Sequence, residues 1–276
     1  MKNMKTDRLL QIVRWNVIGR KGELLRTFIG GLIGMFFAMS VANGFWFSDE
    51  AADYGEVSSM AVVMLICISV IMLKYATGVS FNTKTKTAFL NYAMLPATNL
   101  EKYVANWIYV TLVLGGTFIA GLIAGDGVQR IVSEGVYGIS SSVTWAALGI
   151  LADALEITNL GVIWGVTAFI FGLVSAHAAF ILGGTLFRKH QFIFTCVFWC
   201  IVVPFVVGTL MTGAGWVLNE ILDANDCALE IEWYVGEDFA KCVVLLVELA
   251  FISFCYWYSF RLFSHSQIIN NRFFNK

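Results

Sequence analysis

Six apolar runs dominate the sequence, and each is about as long as a helix that crosses a bilayer. An α-helix rises about 1.5 Å per residue, so about 20 apolar residues span a hydrocarbon layer about 30 Å thick. The composition fits that environment, because 58% of the residues are hydrophobic, 13% are charged and the mean hydropathy is +0.75. We therefore expect an all-α integral membrane protein with six transmembrane helices, at residues 24–47, 57–79, 103–124, 160–187, 192–218 and 239–263.

Basic residues gather on alternate connections between the six runs. If both termini lie on one side of the membrane, that side carries 16 of the 18 Lys and Arg residues, and only Arg130 and Lys241 fall on the other side. Short loops rich in Lys and Arg stay in the cytoplasm. We therefore predict that both termini, the loop at residues 80–102 and the tail at residues 264–276 are cytoplasmic.

Residues 5–20, within a cytoplasmic segment that we assign to residues 1–23, have the periodicity of an amphipathic helix. Arg and Gln side chains lie mostly away from one apolar face. That face carries Leu9, Ile12, Val13 and Val17. We expect the helix to lie in the headgroup plane and to lead into the first span, either as a basic anchor or as an elbow that helps to seat a cytoplasmic partner.

The loop at residues 80–102 mixes Lys side chains with large apolar ones. Pro96 breaks any helix there, and Thr98 with Glu101 forms a capping-box pattern, which predicts a short helix, a sharp break and a new helix that starts at Asn99. The apolar groups bury against the membrane surface or the amino-terminal helix, or they fill a groove of a partner. They are Phe89, Leu90, Tyr92, Met94 and Leu95.

Residues 95–103 read Leu-Pro-Ala-Thr-Asn-Leu-Glu-Lys-Tyr. This stretch resembles a Leu-Pro-Ala-Ser/Thr-x-x-Glu-Lys-Phe/Tyr signature of bacterial ABC-2-like (type-2 exporter) permease subunits that are common among Bacteroidetes. The setting is also similar, with a basic amphipathic start, six spans, and the motif between the second and third spans. The resemblance covers about nine residues closely and the remaining chain only by its layout.

The resemblance implies a subunit of the bacterial inner membrane that works with a separate ABC ATPase subunit and pairs as a homodimer or a pseudo-symmetric heterodimer. It implies an elbow helix at residues 5–20 and a coupling helix at about residues 85–95. The implied ATPase contacts are Phe89, Leu90, Tyr92, Met94, Leu95, Pro96 and Glu101. The chain departs from the family pattern by placing its long external segment, residues 125–159, between spans three and four; residues 143–155 predict an interfacial helix there.

Motifs for catalysis are missing from the sequence. It has no GxxxxGK[ST] phosphate loop, no HExxH and no GxSxG, and its Cys and His residues lack zinc-ligand spacing. We therefore expect no enzyme activity, no cofactor and no metal, with ATP hydrolysis in a partner chain. The balanced net charge of −1 argues against a nucleic-acid partner.

Polar groups inside the spans leave other functions open. A carboxylate within a bilayer is costly unless it is protonated, paired or hydrated, so Glu248 in the sixth run marks a candidate functional position. Lys241 lies one heptad earlier, and His177 lies in the fourth run. Each can equally be a hydrogen-bonded packing residue. The alternatives to a permease are an ion-coupled secondary carrier that uses Glu248 and a non-transporting scaffold or immunity protein.

Small residues predict where helices approach one another closely. Pairs of glycines four residues apart permit close backbone contact between helices. Pro204, in the middle of the fifth run, predicts a kink. The glycine pairs are Gly30 with Gly34, Gly121 with Gly125, and Gly161 with Gly165.

Overall fold

The computed structural model describes residues 6–42, 54–83, 86–137, 142–155, 160–187, 190–202 and 237–265. Within these ranges the regular elements are all helical. The α-helices are α1 (Thr6–Gly19), α2 (Lys21–Ala42), α3 (Tyr54–Ala76), α4 (Lys86–Ala93), α5 (Asn99–Ile108), α6 (Gly115–Tyr137), α7 (Val143–Leu155), α8 (Leu160–Leu186), α9 (Gln191–Val197) and α10 (Glu237–Ser264). A 3₁₀ segment (Thr77–Thr83) follows α3, and π-helical turns (Tyr109–Leu114 and Phe198–Val202) follow α5 and α9.

Four helical stretches in the described part of the chain are long and apolar enough to cross a membrane. They are Lys21–Ser40, Ser59–Asn82, Asn99–Gly135 and Leu245–Ser264. Shorter apolar stretches occur at Val143–Ala152, Ile170–Leu186 and Gln191–Ile201. The all-helical prediction is therefore confirmed, and the long apolar helices indicate a membrane protein.

The helix of the third predicted span is longer than the sequence indicated. It runs from α5 through the π turn into α6 and ends at Tyr137 rather than at Ala124. Gln129 lies in this extension, is 1% exposed, and accepts a hydrogen bond from Ser40 of α2 at 3.2 Å. Since polar side chains of the extension are buried against neighbouring helices, the end of the apolar run does not mark the end of the helix. The helix therefore continues past the predicted end of the third span, while the start of the external segment at residue 125 stays a prediction.

Helices α2 and α6 pack backbone against backbone. A Cβ atom added at Gly121 would collide with the carbonyl oxygen of Phe28, and one at Gly125 would collide with that of Leu32. A Cβ at Gly31 would lie 2.8 Å from the carbonyl oxygen of Phe118. Glycine is required at these positions because any side chain would push the two helices apart. The predicted packing role of Gly121 and Gly125 is confirmed.

Gly30 and Gly34 behave differently from that prediction. A Cβ at either position would meet no heavy atom within 4 Å. The α2 face that packs on α6 is offset by one residue, to Gly31, so Gly30 and Gly34 face open space within this chain. Gly161 and Gly165 lie on α8, but their surroundings fall outside the described residues, as does Pro204.

Helix α7 occupies residues 143–155, as predicted, and lies against α3 and α6. Asp126 of α6 caps it, because one carboxylate oxygen accepts the Val143 amide at 3.1 Å and the other accepts the Thr144 amide at 3.1 Å. A carboxylate at a helix N-terminus satisfies otherwise free amides and interacts favourably with the helix dipole. Trp145, 76% exposed, lies on its outer side.

Two groups of buried apolar side chains hold the helices together. One lies at the α7 end and joins α2, α3, α6 and α7 through Met35, Met39, Ala61, Leu122, Val143 and Ala147. The other joins α1, the 3₁₀ segment, α4, α5, α8 and the end of α10, with Tyr92, Tyr103 and Tyr109 among its members. We call this second end the basic end, because Arg20, Lys74 and Lys102 lie around it.

Helix α1 begins and ends within one residue of the predicted helix. Its apolar face packs on α5, with Leu9 and Ile12 buried and Val13 and Val17 partly buried against the core. The protein's own helix therefore covers this face, while the position of α1 in the headgroup plane stays a prediction.

Candidate functional site

A cluster of four buried polar residues lies at the basic end, and Asn106 of α5 is at its centre. The side-chain oxygen of Asn106 accepts hydrogen bonds from the amides of Asn16 at 3.2 Å and Asn82 at 3.1 Å. The Tyr92 hydroxyl lies 2.8 Å from the same oxygen. These residues are at most 4% exposed. The Asn106 cluster therefore ties together α1, the 3₁₀ segment, α4 and α5.

Asn106 also connects this cluster to the backbone. Its side-chain amide donates to the carbonyl oxygen of Val79 at 3.0 Å, within the 3₁₀ segment that follows α3. Buried polar groups must be hydrogen-bonded, since each unpaired group costs about 1–3 kcal/mol. The fully bonded Asn106 side chain thus fixes the 3₁₀ segment after α3 relative to α5.

The loop between α4 and α5 is held by three further bonds. Thr98 and Glu101 form the predicted capping box, in which the Glu101 carboxylate accepts the Thr98 amide at 2.8 Å and the Thr98 hydroxyl accepts the Glu101 amide at 3.2 Å. The Lys102 ammonium donates to the carbonyl oxygen of Ala93 at 3.1 Å, where α4 ends. A cation at a helix C-terminus is stabilising. The predicted helix, break and capped helix are all confirmed.

Tyr92 belongs to the interior of this loop. Its ring is 3% exposed and lies 5.9 Å from the ring of Trp15 on α1. Its hydroxyl also lies 2.7 Å from the carbonyl oxygen of Lys102. Burial raises the pKa of the Tyr92 hydroxyl above its usual range, so this group stays protonated and remains a hydrogen-bond donor.

The predicted partner contacts divide into buried and exposed residues. Tyr92 and Glu101 are buried, with Glu101 0% exposed, so the expectation that they touch a partner is corrected: their side chains stabilise the loop from within. Met94 is 79% exposed and Pro96 is exposed. Leu90 and Leu95 are half-buried. Phe89 lies on α4, and its side chain is outside the described residues.

Helix α1 adds apolar surface at the same end. Leu10 is 59% exposed, Ile18 is 51% exposed and Trp15 is 41% exposed. Scattered exposed apolar residues are normal on a protein surface, but several on one short helix beside an exposed Met are suited to a partner or a membrane surface. The basic end therefore combines a rigid interior with an apolar exterior.

A second polar cluster at the basic end connects the 3₁₀ segment to α8 and α9. The Gln191 side-chain amide donates to the carbonyl oxygen of Gly184 at 2.6 Å and to the Ser80 hydroxyl at 3.0 Å. A Cβ at Gly184 would collide with the carbonyl oxygen of Thr77, so the backbones touch directly. The 3₁₀ segment is consequently fixed on both sides.

The polar residues predicted to lie within the spans have different surroundings. His177 uses both ring nitrogens, which lie 3.1 Å from the Thr111 hydroxyl and 3.1 Å from the Tyr256 hydroxyl. Glu248 lies on α10, and its Oε2 atom has no hydrogen-bond partner among the described residues. Lys241 lies on the same helix, with its side chain outside the described part. His177 is therefore a hydrogen-bonded packing residue.

The residues at the centre of this site were not identified from the sequence. Asn16 gave the clearest signal, since it lies on the apolar face of α1, one turn after Ile12. Asn106 lies one turn after Lys102, just inside a predicted span, where a polar amide requires a partner. Their mutual contact depends on how distant parts of the chain meet, which periodicity does not reveal.

The described residues contain no group of three His, Cys, Asp or Glu side chains that could hold a metal ion. Comparison with protein-family models, curated proteins and solved structures gives no match to this chain. The functional conclusion therefore depends on the geometry of the basic end and on the short sequence resemblance.

Proposed function

We propose that this chain is the membrane-spanning permease subunit of an ABC-type exporter, energised by a separate ATPase subunit that docks on the loop between α3 and α5. The observation that carries the proposal is the Asn106 cluster, which anchors this loop to α1 and α5 while Met94 projects outward, 79% exposed. A docking element must be rigid if movement of the ATPase is to reach the transmembrane helices.

The hydrogen bonds supply two routes for that movement. Lys102 connects the end of α4 to the start of α5 through the Ala93 carbonyl oxygen. Asn106 connects α5 to the end of α3 through the Val79 carbonyl oxygen. Coupling between distant sites is carried by packed side chains and rigid elements of this kind. Movement of the ATPase against the loop therefore displaces α3 and α5 together.

In this proposal the chain crosses a bacterial inner membrane six times, with the basic end in the cytoplasm, and two subunits enclose the transport path. Four long apolar helices support this number in part. The other two crossings are α8, 27 residues long, and the apolar run at residues 192–218, which begins in α9. Met94, Pro96 and the outer face of α1 contact the ATPase. Tyr92 and Glu101 are positioning residues.

Charge at Met94 is the direct test of docking. We expect the wild-type chain, purified in mild detergent from membranes of its own host, to retain an ABC ATPase. Met94→Glu is expected to reduce the retained ATPase by about tenfold or more, because a buried charge at an apolar interface costs over about 1.4 kcal/mol. Immunoblotting or quantitative mass spectrometry of the purified complex measures the ratio.

The conservative variant Met94→Leu is the matched control, and it should retain the ATPase at nearly the wild-type level. Each variant should show the same thermal unfolding midpoint as the wild type, since Met94 contributes little to the interior. Full retention of the ATPase by Met94→Glu would rule out docking at this loop.

A further inference from the structure

A large cavity opens at the basic end between α2, the end of α3, the π turn after α5 and the start of α9. Its volume is about 900 Å³, and its wall is mixed, with apolar side chains such as Phe81, Val110 and Phe118 beside charged ones. Cavities of about this volume accommodate small-molecule ligands.

The charge in this cavity is predominantly positive. Arg20, Arg26 and Lys74 line it, against the single carboxylate of Glu23. Arg20 is already neutralised, because its guanidinium lies 2.8 Å from the Glu23 carboxylate and 3.5 Å from the centre of the Phe81 ring. No carboxylate among the described residues pairs with Arg26 or Lys74. Two cations are left facing one cavity.

An apolar pocket of about 260 Å³ between α2, α3 and α6 adjoins this cavity. Gly30 and Phe118 line both spaces. Its remaining wall is almost entirely apolar, and Met35, Met64 and Ile71 are part of it. The combined space therefore has a basic chamber at one end and an apolar extension at the other.

On α2 and on α3, a basic residue of the chamber and residues of the apolar extension lie along one face of the helix. On α2, Arg26, Gly30 and Gly34 are spaced by four residues, so they follow one another along the helix over about 12 Å. On α3, Lys74 and Ile71 are three residues apart on the wall of the same space. The absence of side chains at Gly30 and Gly34 leaves the room that the apolar extension occupies.

We propose that the cavity and its extension form one binding site for an anionic glycerophospholipid. Its phosphate lies between the Arg26 guanidinium and the Lys74 ammonium, and an acyl chain lies along Gly30 and Gly34. Guanidinium and ammonium groups are the usual partners of phosphate, and basic pockets between transmembrane helices bind anionic headgroups. The hydroxyl groups of Thr27 and Tyr75, 3.4 Å apart at the chamber wall, offer further polar contacts to the headgroup.

The site was not predicted from the sequence, and it does not depend on the docking of an ATPase. It explains two features of the described residues together: Gly30 and Gly34, which pack on no other group there, and two cations without a carboxylate partner. A free phosphate would account for the cations alone. Only an amphiphile accounts for the chamber and the extension at once.

Native mass spectrometry of the purified full chain tests the proposal, with phosphatidylglycerol and phosphatidylcholine of identical acyl chains supplied in separate titrations. We expect phosphatidylglycerol to be retained in preference to phosphatidylcholine. Arg26→Gln and Lys74→Gln should each weaken retention of phosphatidylglycerol by about fivefold. Arg14→Gln, which removes an exposed cation of α1 outside the cavity, should leave retention unchanged.

Two further measurements distinguish binding of a lipid from binding of free phosphate. Gly34→Leu fills the extension without touching the cations, so it should reduce lipid retention. Excess inorganic phosphate should displace little phosphatidylglycerol. Equal retention of both lipids, unchanged retention in the Arg26→Gln/Lys74→Gln double variant, or complete displacement by inorganic phosphate would overturn the lipid site. The double variant Arg26→Lys/Lys74→Arg keeps both charges and should retain phosphatidylglycerol, which separates loss of binding from loss of fold.

Discussion

Asn106→Ala is expected to lower the free energy of unfolding by about 3–5 kcal/mol. The substitution leaves the Asn16 amide and the Val79 carbonyl oxygen without their Asn106 partner, and each buried unpaired group costs about 1–3 kcal/mol. The Asn82 amide loses its 3.1 Å bond and keeps only the longer one to the Asn16 side-chain oxygen, at 3.5 Å. The Tyr92 hydroxyl keeps an acceptor, since the Lys102 carbonyl oxygen lies 2.7 Å away. Reversible unfolding by dodecyl sulfate in mixed micelles, followed by circular dichroism, gives the free-energy difference.

Asn91→Ala provides the matched control, because Asn91 is exposed on α4 of the same loop and loses the same side chain. We expect it to change the free energy of unfolding by less than about 0.5 kcal/mol, as is usual for exposed positions. If Asn106→Ala and Asn91→Ala had equal effects, the Asn106 cluster would not be what holds this end together, and the rigid loop required for ATPase docking would lose its support.

Gly121→Ala is expected to destabilise the protein by about 1–3 kcal/mol, the usual cost of overpacking. The new methyl group would collide with the carbonyl oxygen of Phe28, which belongs to the backbone and cannot rotate away. Helices α2 and α6 would therefore have to separate. A lowered thermal unfolding midpoint in detergent, measured by intrinsic tryptophan fluorescence, reports the effect.

Gly116→Ala separates this clash from a general effect of alanine in α6. A Cβ at Gly116 would meet no heavy atom within 4 Å, so no helix needs to move. Alanine also favours helix formation over glycine by about 1 kcal/mol, so Gly116→Ala should be neutral or stabilising. A wild-type midpoint for Gly121→Ala would mean that α2 and α6 are not in backbone contact.

Local patterns predicted a substantial part of the fold. The capping box at Thr98 and Glu101, the break at Pro96 and the bounds of α7 depend on residues that are close in sequence, so short-range chemistry is sufficient to identify them. The apolar runs also located α8 and α10 within a few residues, because length and hydropathy decide where a helix can lie in a membrane.

Features that depend on tertiary contact could not be predicted in this way. Two glycine faces of α2 look equivalent in the sequence, yet the face with Gly31 packs on α6 while Gly30 and Gly34 line a cavity. The extension of α6 to Tyr137 was missed because buried Gln129 looks like a residue at a membrane edge until its partner on α2 is known.

The candidate site likewise combines features that local sequence predicts with features that depend on tertiary contact. The sequence correctly identified the loop as a distinct helical unit, but it left open whether Tyr92 buries against the amino-terminal helix or contacts a partner. An aromatic residue in a polar loop can point to a partner or to the interior. The Tyr92 ring lies in the interior, where its hydroxyl bonds to Asn106, fourteen residues away in the sequence. Met94, two residues later, is 79% exposed.

Thiol labelling at Met94 tests the orientation on which the permease assignment depends. Met94→Cys, made in a chain whose native cysteines are replaced by serine or alanine, is treated with a membrane-impermeant maleimide in intact cells and in inverted membrane vesicles that have been washed with urea to remove a docked ATPase. We expect the cysteine at position 94 to be labelled in inverted vesicles and protected in intact cells, because an ATPase can dock only on a cytoplasmic loop. Labelling in intact cells would place this loop outside and would contradict the proposed function.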